Sequence, residues 1–205
     1  MLDIENLLKE LSKKRPVFHS EADFQHALAW GIHEAYPDYK IRLEIRPGNS
    51  KEKEYLDIFI EYKGINCFIE LKYKTKKYSV EFDRENFSLA GHSAHDIGRY
   101  DFIKDIQRVE KFLGKDDMAE GYAILLTNDR AYWSESYRMT VDKDFRVHEG
   151  RILQGRLVWD QRASEGTRKG RNKELHLRGT YECNWNDFSN IDSESFRYLL
   201  IKVRN

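Results

Sequence analysis

Apolar residues recur at helical spacing in three stretches of the chain. The first, residues 3–14, repeats Ile or Leu on one face and is stopped by Pro16. The second begins at Ser20, a residue type that caps helix N-termini, and Pro37 closes it. The third runs from Tyr100 to Gly114, and glycine commonly ends helices. We therefore predict three helices, of which the first is a short N-terminal addition.

Strand patterns lie between and after these helices. Tyr39–Arg46 alternates apolar and charged residues, as a half-buried strand does, and its Glu44 is either a further acidic ligand or a solvated side chain. Gly121–Thr127 is a continuous apolar run, typical of a buried central strand. Residues 47–54 and residues 79–99 are predicted to be loops. This order predicts a mixed sheet with helices on its faces.

The stretch Tyr55–Lys72 has the pattern of a β-hairpin. Two apolar runs, Tyr55–Tyr62 and Ile65–Lys72, flank the dipeptide Lys63-Gly64, which suits a two-residue turn. Counting back from that turn pairs Ile58 with Ile69 and Asp57 with Glu70. Directly opposed residues share a sheet face, and a residue two positions further along the strand shares it too. Asp57, Glu70 and Lys72 are therefore predicted to lie on one face.

Two opposed carboxylates repel one another, and a cation between them relieves the repulsion. Divalent ions such as Mg²⁺ take carboxylate oxygens as ligands. The ammonium of Lys72 would add positive charge where phosphate chemistry needs it. The alternative interpretation is a hairpin whose solvent face happens to carry Asp57, Glu70 and Lys72. We favour the metal site because both carboxylates fall in register on paired strands.

The spacing of Asp57 and Glu70-Leu71-Lys72 resembles the PD-(D/E)xK nucleases, the restriction-endonuclease-like superfamily. Leu56 stands where the family name has proline. The resemblance implies an α/β fold whose core is a helix, a three-stranded antiparallel meander, a helix and a strand in a mixed central sheet. It covers about residues 20–130. We expect one domain over residues 1–205, with an appended helix at 1–16 and a β-rich extension at 131–205.

The resemblance also implies the roles of the hairpin residues. Asp57, Glu70 and the main-chain carbonyl of Leu71 would hold Mg²⁺, with Mn²⁺ as an alternative. Lys72 would orient the attacking water or stabilise charge in the transition state. The family often carries a Glu in the first core helix, and Glu21 matches that placement, although it could equally serve only the helix dipole.

Basic and polar residues near the hairpin are candidate substrate contacts. The helix after the hairpin lends a Gln, Lys or Arg to the site in this superfamily, so Gln107 or Arg108 is expected to do so here. Lys74, Lys76 and Lys77 follow the hairpin, interleaved with Tyr and Thr, and form either a phosphate track or a solvated charge run. The pair His92 and His95 is better explained by structural or substrate-lining roles than by zinc, and a basic segment spans Gln161–Lys173. Short strands are predicted in the last third at Tyr132-Trp133, Phe145–His148, Ile152–Trp159, Glu174–Leu177 and Phe196–Val203.

The composition of the chain excludes several classes of protein. The 205 residues include 35 basic and 35 acidic side chains, so the formal net charge is zero, and nucleic-acid binding would require locally concentrated positive charge. The two cysteines, Cys67 and Cys183, are far apart in the sequence and do not make the closely spaced pairs that bind metals. This argues against zinc-ribbon and redox-motif proteins. No apolar run has the length of a membrane span or signal peptide, so we expect a cytoplasmic protein without membrane partners.

These features predict a metal-dependent nuclease acting on nucleic acid, with DNA favoured over RNA. Endonuclease activity is favoured over exonuclease activity, because the Gln-x-x-x-Tyr signature of an exonuclease branch would need Tyr where Lys111 stands. Two alternatives remain open: a catalytically silent nuclease fold that binds nucleic acid or protein, and a partner-dependent component of a defence system. A homodimer or a partner subunit also stays open.

Overall fold

The computed structural model describes residues 2–46, 55–114 and 118–204. The predicted loop at 47–54 lies outside these ranges. The helices are α1 (Ile4–Lys14), α2 (Glu21–Ala35), α3 (His95–Leu113) and the short α4 (Glu165–Arg168). The strands are β1 (Lys40–Ile45), β2 (Leu56–Tyr62), β3 (Ile65–Lys74), β4 (Tyr78–Phe82), β5 (Glu85–Leu89), β6 (Glu120–Thr127), β7 (Ile152–Leu157), β8 (Leu175–Glu182), β9 (Trp185–Ile191) and β10 (Glu194–Val203).

The predicted hairpin is confirmed as β2 and β3. Its turn places Lys63 at φ 50° and Gly64 at φ 83°, and positive φ at both central residues matches the twist of the flanking strands. The register runs from Tyr62 opposite Ile65 back to Ile58 opposite Ile69, as predicted.

The hairpin belongs to a six-stranded mixed sheet with strand order β1-β2-β3-β6-β10-β9. β6 runs parallel to β3, and the other neighbours are antiparallel. Residues 121–127 are all buried, which confirms β6 as a central strand. The α/β class, the mixed sheet and a β-rich C-terminal region are therefore all present.

Each face of the sheet is covered by its own hydrophobic core. On one face, α1 and α2 pack over Ile58, Ile69 and Leu71. On the other face, α3 and the β7–β8 ribbon pack over Phe68 and the alternate residues of β6. Because side chains alternate along β3, the face that carries Phe68 also carries Glu70 and Lys72. The charged residues of the hairpin thus lie under α3.

The prediction of a loop at residues 79–99 is wrong. β4 and β5 form a second hairpin there, and its turn uses Asp83 and Arg84 at φ 49° and 65°. Neither residue is a glycine, so the turn lacked the residue that most clearly marks a two-residue hairpin turn. α3 begins at His95 rather than Tyr100, and its N-cap residue Ala94 makes no side-chain capping bond.

The C-terminal strands differ in part from those predicted. Tyr132 lies in a turn and Phe145 ends a short 3₁₀ helix, so neither predicted strand forms around them. The strand predicted at Ile152–Trp159 forms as β7 but ends earlier. The strand predicted at Glu174–Leu177 forms as β8 and continues to Glu182, and Phe196–Val203 lies within β10. β9 was not predicted. Within the described residues, no helix is long and apolar enough to cross a membrane.

Candidate active site

The acidic pair of the hairpin is joined through the main chain of β3. The paired register ends at Ile58 and Ile69, one step before Asp57 and Glu70. At that step the Leu71 N–H donates to Asp57 Oδ2 at 2.6 Å, so the carboxylate takes the place of a main-chain acceptor. The side chain of Asp57 therefore reaches β3 beside Glu70, on the face predicted from the sequence.

Helix α3 adds a third carboxylate, that of Asp105, and a guanidinium, that of Arg108, to the acidic pair. Arg108 donates to Glu70 Oε2 at 2.8 Å and also to Asp105 Oδ1, one helical turn away. Lys72 Nζ lies 2.9 Å from Asp105 Oδ2. We call Asp57, Glu70, Lys72, Asp105 and Arg108 the charged cluster.

Asp105 was not predicted as a site residue. The available signal was its position one turn before Arg108, beside the apolar stripe of the helix, because residues three apart share a helix face. Asp105 is only 4% exposed, so it lies inside the interface between α3 and the sheet.

The first turn of α2 borders the cluster, as the resemblance implied. Ser20 caps the helix by accepting from the Asp23 N–H, which fixes the position of Glu21. Glu21 Oε2 accepts from the Tyr73 N–H at 2.8 Å, and its Oε1 lies 3.8 Å from Lys72 Nζ. Glu21 therefore contacts the site and does more than serve the helix dipole.

The side chain of Gln25, one turn further along α2, ties that helix to the strands. Its amide donates to the Asp57 carbonyl at 2.7 Å and to Glu44 Oε1 at 2.9 Å. Glu44 is exposed and is occupied by this bond at the rim, so it does not join the charged cluster.

The pKa of the Asp57 carboxyl is raised to about 6, and burial is the largest cause of this rise. Lys72 and the Leu71 N–H oppose the rise, whereas Asp105 and Glu21 add smaller contributions to it. Asp57 thus titrates closer to neutral pH than an ordinary carboxyl does.

Glu70 shows the same behaviour more strongly. Its pKa is raised well above the ordinary value by burial first, then by the charges of Asp105 and Asp57, and Arg108 and Lys72 only partly compensate. Two cations beside three buried carboxylates leave the cluster one positive charge short when every group is ionised.

Lys72 and Asp105 are also perturbed. Burial alone would lower the pKa of Lys72, but Asp105, Glu21 and Asp57 together raise it, so the amine stays protonated. Burial raises the pKa of Asp105, against the opposing effect of Lys72 and Arg108.

The oxygens of this cluster suit one hard cation held by two carboxylates. Glu70 is 1% exposed, and its Oε1 has no hydrogen-bond partner within the described residues. A buried acceptor without a donor is costly, and a cation satisfies it. The same part of the chain contains no group of three or more His, Cys, Asp or Glu spaced to hold a metal ion. Carboxylate and carbonyl oxygens such as those of Asp57, Glu70 and Leu71 are the ligand types that Mg²⁺ takes, with water and phosphate completing its shell.

Several predicted site residues lie elsewhere. Gln107 points away from the cluster and donates to the His176 carbonyl of β8 at 3.0 Å. Lys76 pairs with Glu194 at 3.0 Å, and its main chain is held by Asn128. Lys77 is exposed beyond the end of β3. None of these three residues joins the charged cluster.

Lys74 and the histidine pair are likewise separate from it. Lys74, at the end of β3, is half-buried. His92 contacts Thr75 at 3.0 Å, and His95 contacts Asp129 at 2.7 Å. The two histidines therefore have structural partners in this fold.

Comparison with protein-family models, with curated proteins and with solved structures yields no match for this chain.

Proposed function

We propose that the protein is a metal-dependent nuclease that hydrolyses phosphodiester bonds in nucleic acid, with DNA favoured over RNA. The observation that carries this proposal is the convergence of Asp57, Glu70 and Lys72 in one buried cluster that is short of positive charge. Strongly perturbed pKa values that arise from burial together with specific charged partners cluster at functional sites.

The order of elements supports the same proposal. Helix α2 is followed by the meander β1–β2–β3, then by α3 and by β6 parallel to β3. This is the order of the PD-(D/E)xK core to which the hairpin motif is similar. The β4–β5 hairpin is an insertion between the third strand and the second helix.

Asp57, Glu70 and the carbonyl of Leu71 would hold Mg²⁺ or Mn²⁺. When bound, the ion would polarise the scissile phosphate and lower the pKa of the attacking water. The Leu71 carbonyl already accepts from Lys72 Nζ at 3.1 Å, so the ion would lie next to this ammonium.

The raised pKa of Lys72 keeps its amine protonated, so it would not act as a general base. As an ammonium it would stabilise the charge that develops on the phosphate or orient the attacking water. Glu21, at 3.8 Å from the amine, helps to keep it charged and oriented.

Arg108 donates to Oε2 of Glu70 at 2.8 Å. A cation shared by Asp57 and Glu70 would compete with this guanidinium for the Glu70 carboxylate. The side chain of Arg108 is 16% exposed, so it has a route toward solvent, where a phosphate would be an alternative partner.

The test is cleavage of supercoiled, linear and single-stranded DNA and of RNA, each with Mg²⁺, Mn²⁺ or EDTA. We expect cleavage of at least one substrate with a divalent ion and none with EDTA. The isosteric variants D57N and E70Q should abolish it, and K72A should lower it by about 100-fold or more. E81Q, on the exposed strand β4, is the matched control and should cleave at the wild-type rate. Cleavage that persists in a D57N/E70Q double variant would exclude the assignment.

A second candidate is a silent nuclease fold that binds nucleic acid without cutting it. The observation that favours it is the pairing of Glu70 with Arg108 and of Asp105 with Lys72, in which the chain's own cations serve two of the three buried carboxylates. Binding without cleavage under every metal condition would select it. Cleavage that appears only after a co-purifying subunit is added would select a partner-dependent enzyme.

A further inference from the structure

A groove of about 900 Å³ lies between α3 and the start of β8, next to the charged cluster. Five basic residues line it against two acidic ones. The basic residues are Lys104, Arg108, Lys111, Lys173 and Arg178. For a chain whose net charge is zero, this is a local concentration of positive charge.

Both acidic residues of the groove are already engaged. The buried carboxylate of Glu110 accepts from the N–H groups of Arg178 and Gly179 and from the Tyr181 hydroxyl. Glu174 forms an ion pair with Arg156. The described lining keeps an excess of three basic residues over its two acidic ones.

One wall of the groove is a row of cations along α3. Lys104, Arg108 and Lys111 are separated by four and three residues, so they share one helix face and span about 10 Å along its axis. The ammonium of Lys104 makes no hydrogen bond or ion pair with another described residue. Arg108 belongs to both the groove and the charged cluster, so the groove leads directly into the candidate active site.

The opposite wall is fixed to α3 by hydrogen bonds. Gln107 donates to the His176 carbonyl of β8, and Arg178 donates to the carbonyls of Glu110 and Gly114 at the end of the helix. Arg178 thus also neutralises the negative end of the helix dipole, which would otherwise repel an anion. Gln107, predicted to act in the site, instead braces this groove.

Apart from the exposed imidazole of His176, the described lining offers cations and no exposed aromatic face for a base. Tyr100 borders the groove, yet it is 2% exposed and its ring stacks on Trp159 with centroids 5.4 Å apart. Stacking platforms are the usual means of holding bases, whereas rows of Lys and Arg hold phosphates.

We propose that the groove between α3 and β8 binds the sugar–phosphate backbone of the nucleic-acid substrate and leads it to Arg108 at the edge of the charged cluster. This inference rests on the proposed function, since it names the path of that substrate. The binding is expected to be independent of base sequence and strongly dependent on salt.

The test measures binding without cleavage, with full-length protein and labelled single-stranded and duplex DNA in EDTA. Affinity is followed by fluorescence anisotropy between about 50 and 200 mM salt. The groove variant is K104Q/K111Q. The control is K9Q/K13Q, which removes the same charge from exposed positions on α1, on the other face of the sheet.

The groove variant should bind at least about tenfold more weakly at low salt. Its plot of log affinity against log salt should be shallower by about 1.8 for duplex or about 1.4 for single-stranded DNA, the value for two lost phosphate contacts. The control should match wild type, and both variants should keep the wild-type melting temperature.

Three results would overturn the inference. They are equal binding by the groove variant and wild type, equal losses in the groove and control variants, and no binding by wild type. Binding in EDTA and cleavage with a divalent ion are measured separately, so failure of the groove and failure of the nuclease assignment give different results. Groove-dependent binding by a protein that cuts no substrate would leave the groove in place and remove the nuclease assignment.

Discussion

Replacing Asp57 by Asn should stabilise the protein relative to wild type in EDTA. This gain in unfolding free energy should be larger at neutral pH than at acidic pH. Asp57 has an ordinary pKa of 3.8 that the folded protein raises to about 6, chiefly by burial. One pKa unit is about 1.4 kcal/mol, so ionised Asp57 costs the fold about 3 kcal/mol. Asn keeps the shape and the acceptor for the Leu71 N–H without the charge.

The sign follows from where the proton binds more tightly. Because the pKa of Asp57 is higher in the folded chain, the folded chain binds more protons between pH 3.8 and about 6. The stability that the protonated Asp57 contributes is therefore fully present below pH 3.8 and is lost as the pH rises through about 6. The variant lacks this titration. The difference in unfolding free energy, variant minus wild type, should grow by about 3 kcal/mol from acidic to neutral pH.

Urea unfolding followed by far-UV circular dichroism, in EDTA across this pH range, measures the difference directly. The control is D38N, an exposed position between α2 and β1, for which the difference should stay flat. A D57N difference that does not change with pH, or that falls toward neutral pH, would refute the reasoning about a buried, charge-deficient cluster.

Three further results are expected. R108M should destabilise the protein by about 3–5 kcal/mol in urea unfolding, because it leaves Glu70 without its buried partner; a loss below 1 kcal/mol would contradict this. Mg²⁺ at about 100 times its dissociation constant should stabilise wild type by about 2.7 kcal/mol in thermal unfolding. D57N should lose that gain, and equal gains would argue against the metal site. G121A should cost about 1–3 kcal/mol, because its Cβ would collide with Val109 of α3; an unchanged melting temperature would contradict the packing of α3 on β6.

The hairpin could be predicted because its information is local. The turn at Lys63-Gly64 fixes the loop length, and a fixed loop length fixes every pair down to Ile58 and Ile69. The side-chain period of two then assigns Glu70 to its face without knowledge of any other element. The β4–β5 hairpin lacked such a signal, since non-glycine residues adopt positive φ in its turn.

The contribution of α3 could not be derived in the same way. Asp105, Gln107 and Arg108 all lie on the polar side of a strongly periodic helix, and their roles depend on its rotation against the sheet. That rotation is set by packing against β6, which directly follows the helix, and against β8, which is distant in sequence. One residue step, about 100° around the helix axis, separates Arg108, which reaches Glu70, from Gln107, which reaches β8.

The charges of the cluster connect its stability to its proposed chemistry. Three carboxylates and two cations leave one negative charge, which a proton can neutralise, and the raised pKa values of Asp57 and Glu70 express this demand. A divalent ion would instead leave one positive charge, equal and opposite to that of a phosphodiester. The arrangement that costs stability in the metal-free protein is therefore the one that metal and substrate together would bring to neutrality. Arg108, released from Glu70, would meet that phosphate at the mouth of the basic groove.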